Sequence, residues 1–106
     1  MNMNNLARMA QQMQADMARV EQELRDLTVE GSAGGGVVKA VVTGKQEMVS
    51  LTIDPSVVDP EDVEMLQDLI VAAIGDAMAQ ARRASEEKMA RVTGGLSIPG
   101  LSLPGM

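Results

Sequence analysis

The chain has 106 residues, 45% of them apolar, a formal net charge of −6, and no His, Cys, Phe, Tyr or Trp. Length and apolar fraction fit one small globular domain, and the missing residue types exclude disulfides, thiolate nucleophiles, His general bases, Cys/His zinc sites and base stacking on aromatic rings. The excess of carboxylates argues at first against a polyanionic partner, and the chemistry left is that of carboxylates, hydroxyls, Lys, Arg and shape.

From Met3 to Leu27 apolar or small residues follow a heptad, with Met3, Ala10, Met17 and Leu24 at one position and Leu6, Met13, Val20 and Leu27 three residues on. This predicts a long helix. Two readings of its stripe are open: it lies on the chain's own sheet, or it forms a seam with a second chain. On the second reading Leu6, Met13, Met17, Val20 and Leu24 belong to a dimer interface, joined by Ile74 and Met78 from the other helix.

Gly31 to Gly36 (GSAGGG) predicts a turn that no regular element contains. Val37–Thr43 and Met48–Ile53 are β-branched-rich runs around Gly44–Glu47, the pattern of a β-hairpin, with Val38, Ala40 and Val42 on one face and Val49, Leu51 and Ile53 on one face of its partner. Leu27–Glu30 is a short candidate third strand, which makes the sheet an antiparallel meander.

Asp54-Pro55 ends the hairpin. Asp59-Pro60-Glu61-Asp62 predicts a helix start, with an N-cap acceptor, Pro at the first helical position and acid facing the helix dipole. The helical pattern runs from there to about Val92, on the order of 45–50 Å at 1.5 Å per residue, whereas six-residue strands span only about 20 Å. The second half of this helix is therefore expected to project into solvent or to meet another chain. Leu96–Met106 repeats LSIPG and LSLPG, so the chain divides into one folded domain at 1–95 and a flexible Pro/Gly tail at 96–106.

No motif supports an enzyme, a cofactor or a metal. The acidic set Asp54, Asp59, Glu61, Asp62 and Glu64 lacks the central Gly of a calcium loop, the glycine stretch lacks the GK[ST] ending of a phosphate loop, and no Ser or Thr has a His partner. No small-molecule substrate is implied. The longest apolar run, Leu69–Ile74, is far short of the roughly 18 residues that span a bilayer, and no secretory signal is visible, so a cytoplasmic location is expected.

Charge is segregated along the chain. Residues 46–76 hold eight carboxylates and no Lys or Arg, whereas 77–106 hold Arg82, Arg83, Lys88 and Arg91 against Glu86 and Glu87. With Arg8 these cations are the candidate phosphate contacts. The plainer reading is a solubilising surface in which Arg83 and Glu87 form an i,i+4 helix pair.

Taken in order, QQMQADM at 11–17, GSAGGGVVKAVVTG at 31–44, LTIDPS at 51–56, EMLQDLIVAAIGDA at 64–77 and KMARVTGG at 88–95 resemble the YbaB/EbfC family of bacterial nucleoid-associated proteins, from about residue 5 to residue 99. The resemblance implies an α+β protomer of order α-β-β-β-α, with a three-stranded antiparallel sheet and two long helices, in a tweezer-like homodimer. It implies binding of double-stranded DNA with little sequence preference, a place in the nucleoid, and effects on nucleoid organisation and gene expression. Gly75 departs from the Asn of many relatives, marking close helix contact or a bend, and the basic content is thin. The rival reading is a dimeric scaffold whose Met-rich seam, acidic surface or tail binds another protein, with incidental DNA contact.

Overall fold

A computed structural model describes residues 2–95; the tail at 96–106 lies outside the described residues. The order is α1 (Met3–Asp26), β1 (Thr28–Ala33), β2 (Val38–Thr43), β3 (Met48–Ile53), a single 3-10 turn at Pro55–Val57, and α2 (Val63–Gly95). The three strands form one antiparallel sheet in the order β1-β2-β3, so the chain has the expected α-β-β-β-α architecture.

α1 starts where the Asn2 side chain accepts the Asn5 N–H at 2.9 Å. The start of α2 differs from the sequence reading. Asp59 closes a separate turn, its carboxylate accepting the Glu61 N–H at 2.9 Å. Asp62 is the cap, accepting the Met65 N–H at 3.2 Å, and the helix follows from Val63. Pro60 belongs to that turn because Asp59 spends its side chain two residues on.

The glycine stretch divides. Gly34, Gly35 and Gly36 have positive φ and form the β1–β2 turn, but Gly31, Ser32 and Ala33 belong to β1 and pair with Ala40, Lys39 and Val38. Gly31 sits under α2 where a side chain has no room: a Cβ there would press on the Ala77 nitrogen and lie 2.5 Å from the Ala73 oxygen. Gly75 is the opposite case. A Cβ there would meet nothing within 4 Å, so it marks no close contact.

The core is a stripe of small side chains. Ala73, Ala77 and Ala81, spaced at i,i+4 on α2, are wholly buried against Val38, Ala40 and Val42 on the inner face of β2. Small residues on both sides let the helix lie close to the sheet. Across the sheet, a bulge between Val41 and Val42 places Met48, Leu51 and Ile53 opposite Val42, Ala40 and Val38. Val49 therefore leaves the alternation expected for it.

α2 also seals one sheet edge. The Asp76 carboxylate accepts the Ser32 N–H at 3.1 Å, and the Gln80 amide donates to the Glu30 carbonyl at 2.8 Å, which occupies outward backbone groups of β1. Among the described residues nothing comparable covers β3, where Met48, Val49 and Leu51 are exposed.

Past the sheet, the second half of α2 projects as expected and packs one face on α1 of its own chain, a partner that the expectation of solvent or a second chain left out. Glu23 stands beside Lys88, while Gln12, Asp16 and Val20 face Arg91 and Val92. As α1 numbers fall, α2 numbers rise, so the helices are antiparallel and leave the sheet as one arm. The hairpin fixes the root of that arm, since the Gly44 N–H donates to the carbonyls of Leu24 and Leu27 at 2.9 and 3.0 Å. Principal extents of 70 × 28 × 16 Å reflect this elongation.

Candidate nucleic-acid interface

The arm partitions the heptad stripe of α1. Val20 and Leu24 are 3% and 4% exposed, buried within the protomer, so the sequence placement of these two in a dimer seam gives way to packing inside one chain. The stripe beyond them, at Met17, Met13 and Leu6, stays exposed, and Met3 at the helix start is 84% exposed. Ile74 and Met78 are half-buried on the flank of α2 nearer β3; the Met78 carbonyl accepts from the Gln46 side chain in the β2–β3 hairpin at 3.4 Å. They adjoin the uncovered inner face of β3.

Of the five candidate phosphate contacts, four are free cations. Arg8, Arg82, Arg83 and Arg91 are exposed and form no ion pair among the described residues. The i,i+4 pairing of Arg83 with Glu87 does not form. Lys88 differs: its ammonium lies 3.2 Å from Glu23 Oε2 and its side chain is 24% exposed. Seven residues past Ala81 is almost two full turns, so Lys88 returns to the face that meets the sheet and, beyond it, α1. Arg82 and Arg83 point about 100° and 200° away from Ala81, onto the outer surface of the arm. Arg91 is an exposed lining residue of the groove between the helices, and Arg8 lies one turn beyond Gln12 on α1.

The groove holds four polar residues that the sequence-predicted site left out, Gln12, Asp16, Arg19 and Glu23. Asp16 Oδ1 lies 3.3 Å from Arg19 Nη1, Glu23 Oε1 lies 3.8 Å from Arg19 Nε, and Gln12 donates to Asp16 at 3.0 Å. The spacings 16/19 and 19/23 are i,i+3 and i,i+4 and were legible as helix pairs. The pairing of Glu23 with Lys88, 65 residues apart, was not.

The densest acidic stretch is elsewhere. Asp54, Asp59, Glu61, Asp62 and Glu64 cluster at the start of α2, and at 1.5 Å per residue Arg82 is about 27 Å from Glu64 and Arg91 about 40 Å. A Debye length near 8 Å at physiological salt leaves those carboxylates little hold on the far cations.

This elongated, charge-divided protomer matches known proteins over nearly its whole length. The model of the YbaB/EbfC DNA-binding family matches residues 1–96. The chain belongs to that family. A nucleoid-associated protein of Acetivibrio thermocellus is 54% identical over 101 residues, covering 94% of this chain and 89% of the relative. One from Desulforamulus reducens is also 54% identical, with 94% and 95% covered. Among solved structures, an uncharacterised protein of Helicobacter pylori superposes with a TM-score of 0.69 at 26% identity, covering 91% of this chain and 97% of its own. This YbaB/EbfC member is thus a protein of the bacterial nucleoid-associated class, and among the described residues no helix is long and apolar enough to cross a membrane.

Proposed function

We propose that this chain binds double-stranded DNA as a homodimer, largely without sequence preference, through backbone phosphates, and so organises the nucleoid and alters gene expression. The observation that carries the reading is the set of unpaired arginines on the arm, Arg82, Arg83 and Arg91 with Arg8 further out, tens of ångströms from the acidic end of α2. With no aromatic side chain to stack on bases, backbone and shape contacts dominate.

Dimerisation is supported by what one protomer leaves open. Among the described residues its β3 edge is unpaired, and Met48 and Leu51 lie exposed beside half-buried Ile74 and Met78. An apolar face next to a free strand edge is a template for association. A dimer also presents every arm arginine twice at fixed spacing.

The test is fluorescence anisotropy of a labelled 30-base-pair duplex at about 50 and 200 mM salt. Four to six phosphate contacts per dimer predict a slope of log K against log salt of about −4 to −5, a hundredfold or greater loss across that range. Replacing Arg82 and Arg83 together by Gln is expected to weaken binding at least about tenfold and flatten the slope by about 2 or more. Unchanged affinity would refute this placement of the site. The exposed Met stripe of α1 favours one other reading, a protein-binding scaffold, for which a stoichiometric protein partner recovered after nuclease treatment would be the evidence.

A further inference from the structure

We infer that the groove between α1 and α2 is a latent seat for DNA phosphate, held closed by its own carboxylates. In it Asp16 and Glu23 occupy Arg19 and Lys88 until the duplex backbone displaces them. The inference rests on the DNA-binding reading above and adds Arg19 as a contact and Asp16 and Glu23 as residues that oppose binding.

The groove has a volume of about 470 Å³, and three cations, Arg19, Lys88 and Arg91, line it against two carboxylates. Glu23 spans both helices, with one oxygen 3.2 Å from the Lys88 ammonium and the other 3.8 Å from Arg19 Nε. Asp16 holds the other end of the same guanidinium at 3.3 Å and is itself held by Gln12 at 3.0 Å. Among the described residues Arg91, alone of the three cations, has no carboxylate partner, and it lines the groove with Val92. A phosphate approaching the groove meets Arg91 unpaired and two cations already neutralised from within.

Magnitudes favour exchange. The side chains of Arg19 and Glu23 are 61% and 45% exposed and those of Lys88 and Asp16 24% and 19%, so each of the three pairs keeps one partner well exposed, where ion pairs contribute about 0–1 kcal/mol. Each cation that meets duplex phosphate releases about 0.9 of a condensed counterion, a gain that grows as salt falls. Phosphate therefore displaces the carboxylates at low salt, while their residual repulsion sets affinity below what the cations alone would give. Removing a carboxylate should strengthen binding, the reverse of what removing an arm arginine does.

The experiment titrates a labelled 30-base-pair duplex with the full chain as wild type, Glu23→Gln, Asp16→Asn, Glu21→Gln and the double variant Glu23→Gln with Lys88→Gln, across 50–200 mM salt. Glu21 is the control for overall charge, because it pairs with Lys45 of the hairpin at 3.5 Å, outside the groove. The inference expects Glu23→Gln to bind about threefold to tenfold tighter at low salt, with a slope steeper by about 1–2. Asp16→Asn should change binding in the same direction, Glu21→Gln by less than about twofold, and Lys88→Gln should cancel the gain of Glu23→Gln. Equal effects of Glu21→Gln and Glu23→Gln, or no gain in either groove variant, would overturn it while leaving the DNA reading intact. No binding by any variant at 50 mM salt would overturn both. Should Glu23→Gln lose its far-ultraviolet helix signal, Asp16→Asn decides, since it leaves the Glu23–Lys88 contact in place.

Discussion

Replacing Gly31 by Ala tests the contact on which the direction of the arm depends. The added methyl would meet only backbone: the Ala77 nitrogen, the Ala73 oxygen at 2.5 Å and the Ala77 Cα at 2.7 Å. Comfortable carbon contacts lie near 3.5–4.0 Å, so α2 must lift by about 1 Å at its closest approach. Ala73, Ala77 and Ala81, wholly buried on Val38, Ala40 and Val42, would lift with it. Overpacking of this kind costs about 1–3 kcal/mol, and rigid neighbours place it at the upper end. Loss of glycine's backbone entropy returns about 0.4–1 kcal/mol. A net loss of about 2–3 kcal/mol corresponds to a fall in Tm of roughly 10–20 °C for a domain of this size. The assay is a thermal melt followed by circular dichroism at 222 nm, with protomer concentration held fixed because association shifts Tm. A melting point within about 3 °C of wild type would refute the argument that a direct backbone contact seats α2.

The same substitution at Gly75 is expected to act with the opposite sign: a methyl there meets open space in the interior of α2, so Gly75→Ala should stabilise by about 0.5–1 kcal/mol in the same melt. Leu51→Asp places a charge on the uncovered face of β3, and sedimentation at micromolar concentration should show the variant as monomer where wild type is dimer; a wild-type monomer would remove the homodimer from the proposal. Asp54 accepts the Ser56 N–H at 2.9 Å, and this bond, with a second from the Ser56 hydroxyl, holds its carboxyl below the ordinary value of 3.8. A depressed folded-state pKa contributes stability that is complete above pH 3.8 and lost as pH falls through the lower value, so carboxyl-detected NMR should find an Asp54 midpoint under 3.8 and Asp54→Asn should abolish that contribution.

What could be read from the sequence follows the range of the forces involved. The strands and both helices are written in local periodicity and in turn residues, and they form at or within a few residues of the expected places. Gly31 misled because a glycine needed for close approach and a glycine needed for positive φ are the same letter; only Gly34, Gly35 and Gly36 use the second property. The heptad of α1 showed that the helix has an apolar face but not what covers it. Its partner, α2, presents no matching heptad, only the alanine stripe under which first the sheet and then α1 pass. The free arginines were legible as residue types at one end of a helix, whereas the capture of Lys88 by Glu23 depends on a tertiary contact.

That contact also bears on how an acidic chain can serve a polyanion. Distant carboxylates are screened from the arm: about 27–40 Å of helix separates Glu64 from Arg82 and Arg91, several Debye lengths at physiological salt. The carboxylates that matter to an approaching phosphate are the local ones, Asp16 and Glu23 in the groove and Glu86 and Glu87 beside Arg82 and Arg83. On the proposed DNA-binding reading they reduce affinity without abolishing it, because exposed pairs contribute little and yield to a dense line of phosphates. The Ala73–Ala77–Ala81 stripe sets this arrangement up, since a helix seated close and flat on the sheet runs straight beyond it and carries the arginines away from the acidic end. Gly31→Ala, by lifting α2, should therefore weaken duplex binding as well as stability, although Gly31 is nowhere near the arm cations.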